Sequence, residues 1–101
     1  MYGMNFSYDD AAYYVDRAAS LLAVGDVDGA VEAVAEVDVA LEAAPLRGLA
    51  RDAHAYLVAA VTAMREHPRD DERALTYLQL CSRAVEEMAA YERAAVFERA
   101  A

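Results

Sequence analysis

Two histidines, one cysteine, nine arginines and eighteen carboxylates are the groups that chemistry could draw on in this 101-residue chain, which has no lysine. Arg47, Arg51, His54 and Arg65 share a narrow sector of a helical wheel at 100° per residue. That basic stripe suits ion pairing with the acidic face of the preceding helix. A metal centre has less to work with. His54 and His67 lie thirteen residues apart, out of helical register, and no Glu-x-x-His of the kind used in di-iron bundles occurs. Cys81 falls in an apolar seam, where a thiol is a small core residue rather than a nucleophile, and as the single cysteine it allows no internal disulfide. There is no glycine-rich phosphate loop and no serine-centred nucleophile motif. The seven tyrosines suit core and rim positions with their hydroxyls at the surface. The expectation is a protein that is not an enzyme and holds no metal or cofactor.

The carboxylates are more telling. Gly25 to Pro45 carries six acids and no base. On a helical wheel Val27, Ala30, Val34, Val37, Leu41 and Ala44 gather on one side, and Asp28, Glu32, Glu36, Asp38 and Glu42 fan over the other, with Ala35 and Val39 inside the fan. Charge is uneven along the chain as well: residues 1–45 hold nine acids and one arginine, net −8, while residues 46–101 hold nine acids and eight arginines, net −1. Such a surface repels nucleic acid and attracts cationic partners. Asp28, Glu32, Ala35, Glu36, Asp38, Val39 and Glu42 are therefore the candidate binding residues, and their expected partner is a basic protein surface met by an adaptor or regulatory module. Two alternatives use the same acids: an inhibitor or antitoxin that mimics nucleic acid, and a solvated face in a salt-adapted, halophilic cytoplasm. No basic segment followed by an apolar run opens the chain, and no uncharged stretch is long enough to span a bilayer, so a cytoplasmic protein without membrane contact is expected.

Four helices must carry these residues, at about 8–24, 27–44, 46–66 and 71–98, in a single helical domain over residues 1–101. Ser7 is placed to cap the first, Gly25 to end it and Asp26 to cap the second; Pro45 closes the second and opens the third; Asp70, after His67-Pro68-Arg69, caps the fourth. Connections this short make consecutive helices antiparallel, and the fold class follows: an all-α antiparallel four-helix bundle of two αα-hairpins with a long C-terminal helix. The inner faces should comprise Ala11, Tyr14, Val15, Ala18, Leu21 and Leu22 in helix one, and Leu46, Leu49, Ala50, Ala53, Tyr56, Leu57, Ala60, Val61 and Met64 in helix three. In helix four Ala74, Leu78, Cys81, Val85, Met88, Glu92 and Ala95 repeat at steps of four and three. The other helices can cover only part of so long a seam. Each large apolar side chain left in water forfeits about 1.5–3 kcal/mol, so a homodimer through Val85, Met88, Glu92, Ala95, Val96 and Arg99 is expected, the competing outcome being a tail that frays or folds back against the N-terminal MYGMNF.

Two resemblances accompany these patterns. Residues 11–45 resemble a single tetratricopeptide-repeat hairpin, with Ala18, Leu21, Gly25, Ala30 and Val34 at that family's small and bulky packing positions, which implies an αα-hairpin used for protein binding. Arg47 and His54, with Tyr56 two residues on, resemble the arginine–histidine signature of the HEPN ribonucleases, which are all-helical bundles. That resemblance implies His54 as acid/base and Arg47 as the stabiliser of phosphate charge.

Overall fold

The computed structural model describes residues 8–42, 47–66 and 68–100, with the side chains of Arg47 and residues 95–100 excepted. They form four helices, α1 (Tyr8–Ala23), α2 (Val27–Glu42), α3 (Arg47–Arg65) and α4 (Asp71–Ala100), with no strand among the described residues. Each helix packs on the next and α4 closes back onto α1, so the four make a ring with α1 and α3 on one diagonal and α2 and α4 on the other. The fold is the expected all-α four-helix bundle. Arg93 reaches Asp9 and Ser82 reaches Asp16, a descending pairing that sets α4 antiparallel to α1.

Local chemistry explains where the helices stop and start. Gly25, at φ +86°, adopts the left-handed conformation that an L side chain disfavours. Around it Asp26 N–H donates to the Leu21 carbonyl at 2.9 Å and Gly25 N–H to that of Leu22 at 3.0 Å, the paired bonds of a Schellman stop. Asp26 then starts α2, its Oδ1 accepting from the Gly29 amide at 2.9 Å. One residue thus ends α1 through its amide and begins α2 through its carboxylate. Gly29 makes room for that carboxylate: a Cβ there would lie 2.5 Å from the Asp26 Oδ2. Asp70 does similar work at α4, accepting from Arg73 N–H at 3.0 Å and donating its own amide to the Ala63 carbonyl at 3.1 Å. The Ser7 cap, the MYGMNF segment, Pro45 and His67 lie outside the described residues.

Burial follows the helical period. Val15, Val37, Leu57, Leu78, Cys81, Val85 and Met88 are the largest fully enclosed side chains, and alanines fill the spaces between them, permitting close helix approach. Where burial departs from the expected stripes, size is the reason. Tyr14, Leu21, Val27, Leu49, Tyr56 and Val61, expected inside, are half-buried at the helix margins, whereas Ala33, Ala40, Ala63, Ala84 and Ala89 are enclosed because they fit where helices come closest. Val24, expected in the last turn of the first helix, is 79% exposed in the connection. Of the adjacent tyrosines, Tyr13 faces water and Tyr14 half-buries, their rings edge-on at 5.3 Å between centroids. No charged side chain is buried among the described residues, so every ion pair they make is wet.

Helix α4 has 30 residues, about 45 Å at 1.5 Å per residue, in a molecule 52 Å along its greatest axis. Because Arg93 is level with Asp9 near the start of α1, the backbone from Ala94 to Ala100 runs on beyond α1.

The shared turn residue should be expensive to alter. Asp26→Ala is expected to lower stability by about 1–2 kcal/mol, the upper range for a lost N-cap, and Gly25→Ala by a similar 1–2 kcal/mol for forcing Cβ into the left-handed region. Urea denaturation followed by far-ultraviolet dichroism measures both, and an unchanged midpoint for either variant contradicts this account of the turn.

Candidate functional site

Helix α2 is flanked by α1 and α3, and each flank holds a groove. The inward stripe of Ala30, Val34, Val37 and Leu41 fixes the rotation of the helix, and that rotation divides the acids. Glu32 and Glu36 turn toward α1, where with Tyr14, Arg17, Leu21 and Asp26 they line an open polar groove of about 400 Å³. Asp38 turns toward α3. Glu42 and Asp28 are exposed, and between the acids Ala35 is exposed and Val39 is 59% exposed. The seven candidate binding residues thus share the outer surface of α2 but serve two flanks.

The α2–α3 flank is different in character. Val31, Val34, Ala35, Leu57, Val58 and Val61 line an apolar groove of about 210 Å³, with Asp38 and His54 at one end and Arg65 at the other. Val58 is 52% exposed. The volume is below the roughly 300–1,000 Å³ of small-molecule sites, and the groove is sized for side chains. At its end His54 Nδ1 and Asp38 Oδ1 are 2.6 Å apart. Among the described residues this is the one ion pair that joins α2 to α3, so the basic stripe of α3 and the acids of α2, expected to mate, do so at a single rung.

A carboxylate beside Nδ1 orients an imidazole as in hydrolytic triads. Here no Ser, Thr or Cys lines the groove to serve as a nucleophile. Arg47, the other half of the HEPN-like pair, has its side chain outside the described residues. Cys81 is wholly enclosed, and burial pushes its thiol up to about 12, leaving it protonated and unreactive at neutral pH. Among the described residues no three of His, Cys, Asp and Glu gather where they could hold a metal ion, and no helix is long and apolar enough to cross a membrane.

The expected dimer residues divide. Val85 and Met88 are each 0% exposed within one chain, enclosed by its own helices, and offer no surface to a second copy. Helix α4 packs against both α3 and α1, and how far that covering reaches was not revealed by pattern alone. Glu92 is half-buried, and the neighbouring Arg93 donates to Asp9 of its own chain at 2.9 Å. The side chains of Ala95, Val96 and Arg99 lie outside the described residues.

Val31 and Val58 are the groove residues that sequence reasoning passed over. Their signal is a register. Asp28, Val31, Ala35, Asp38 and Glu42 step by threes and fours along α2, and Arg51, His54, Val58, Val61 and Arg65 do the same along α3, so two antiparallel stripes match apolar to apolar and acid to base.

With side-chain exposures of 52% and 40%, the His54–Asp38 pair is a solvent-screened contact. A double-mutant cycle with His54→Ala and Asp38→Ala should give a coupling of about 0.2–1 kcal/mol in denaturant unfolding, and a coupling of several kcal/mol would show that this rung holds the bundle together. No family model, no curated protein and no solved structure matches the chain, so the tetratricopeptide-like and HEPN-like resemblances stand on their residues alone.

Proposed function

We propose that this protein is a small acidic helical interaction module, an adaptor or regulatory protein that receives a basic protein surface on the outer side of α2. The observation that carries the reading is Val39, 59% exposed on a helix whose other outward groups include Glu32, Glu36 and Glu42. An aliphatic contact point among carboxylates supplies the two ingredients of a specific interface, apolar area to desolvate and charge to select the partner. The net charge of −9 adds long-range attraction for a cationic partner and repels nucleic acid. Capture from native lysate tests the reading. The wild-type chain should retain a partner that Glu32→Lys/Val39→Asp/Glu42→Lys loses and that a control altered on α4, Glu86→Lys/Glu87→Lys, keeps. A nuclease as that partner points to nucleic-acid mimicry, and a scaffold or another enzyme to an adaptor. Equal capture by the α2 variant overturns the proposal.

A second reading, self-association, is favoured by Tyr91, 61% exposed just before the stretch of α4 that runs past α1. With Val85 and Met88 withdrawn into the core, the contact falls to Tyr91, Glu92 and the end of the helix, with Ala95, Val96 and Arg99 as the remaining candidates. Light scattering of the intact chain at micromolar concentration should give a dimeric mass that Tyr91→Glu reduces to a monomer. A monomeric intact chain rules the dimer out.

A further inference from the structure

The groove between α2 and α3 has opposite charges on its two banks. The Asp38–His54 contact sets the register. Counting from it along the antiparallel helices, Ala35 faces Val58, Val31 faces Val61, Asp28 falls opposite Arg65, and Glu42 falls opposite Arg51. The acids all stand on α2 and the bases all stand on α3. Neither outer rung closes into an ion pair, and the two apolar rungs leave Val58 half in water over the groove. The walls are therefore apolar for about one helical turn and charged beyond it, negative along one side and positive along the other.

We propose that this groove is an anchoring site for one amphipathic helix of a partner protein, a helix with two aliphatic residues one turn apart, basic residues down one flank and acidic residues down the other. The reading rests on the acidic face of α2 as a binding surface and adds what the partner must be. Helix-in-groove recognition uses apolar anchors at i and i+4 to fill the floor, and the flanking charges choose partner and orientation. Two aliphatic side chains match the volume between Ala35–Val58 and Val31–Val61. A basic flank then runs beside Asp28, Asp38 and Glu42, and an acidic flank beside Arg51 and Arg65. A helix basic on both flanks meets α2 well and is repelled along α3, which is the repulsive element that specificity requires. No existing pair at the outer rungs has to break on docking, and the Asp38–His54 rung closes the apolar floor at one end.

The test uses stapled helices about sixteen residues long, each carrying two leucines one turn apart, with fluorescence anisotropy against the full chain at about 0.15 M salt. One probe has lysines on one flank and glutamates on the other; a second has lysines on both; a third keeps the bipolar flanks but replaces the leucines with alanine. Turning a helix end for end exchanges its flanks, so a single bipolar probe can meet the banks in either handedness. The bipolar probe should bind about tenfold or more tighter than the other two, a difference of about 1.4 kcal/mol. Arg65→Glu should reverse the preference in favour of the all-lysine probe, and Val58→Glu should weaken the bipolar probe about tenfold; both positions are exposed, and far-ultraviolet dichroism checks that each variant folds. Equal or tighter binding of the all-lysine probe overturns this inference while leaving the acidic-face reading intact. Binding by none of the probes, or a bipolar preference that survives Arg65→Glu, overturns it too. Failure of the acidic-face reading is seen separately, in lysate capture that the α2 charge reversal does not change.

Discussion

The rotation of α2 about its own axis is the constraint from which the rest of the surface follows. Ala30, Val34, Val37 and Leu41 must face inward, because the hydrophobic term dominates for a helix with this much aliphatic content. Once they do, a residue step of 100° leaves no choice for the acids: Glu32 and Glu36 fall on the α1 side, Asp38 on the α3 side, and Val39 in water. The Gly25–Asp26 turn locks the axial position of that helix, since the same residue terminates α1 and caps α2. The outward display of charge is thus a consequence of core packing and of one turn.

Against that fixed helix the opposite charges of α3 lie within the same flank and yet pair once. Two features of the pairing surface account for this. The apolar rungs between Ala35–Val58 and Val31–Val61 set how closely the helices approach, and small side chains there leave a trough rather than a sealed seam. The charged ends stand in water, where holding long side chains together costs entropy that exposed ion pairs barely offset. His54 and Asp38 meet because both are short and stand next to the apolar rungs. The outer acids and bases, Asp28, Glu42, Arg51 and Arg65, stand exposed.

Helix α4 shows how the same hydrophobic repeat serves two ends. Its first part, through Cys81, Val85 and Met88, is enclosed by neighbouring helices, so the thiol there behaves as a packing residue. Near Arg93 the seam meets the start of α1, and the Asp9 contact fixes that junction. Beyond it the helix continues with no part of α1 beside it.

What the sequence by itself determined is local in its physics. Helix period, the left-handed Gly25 and the caps Asp26 and Asp70 depend on groups three or four residues apart, so composition and spacing expose them, and the four-helix class follows from short connections between amphipathic segments. The acidic surface of α2 was legible for the same reason. Tertiary structure alone decided which flank each acid serves, how far the covering of α4 reaches, with Val85 and Met88 withdrawn, and that Val31 and Val58 line a groove with acids on one bank and bases on the other. Those outcomes turn on helix rotation and spacing, where alanines such as Ala33, Ala63 and Ala89 are decisive: they are too small and too neutral to announce a direction in the sequence, yet they set how closely two helices come together.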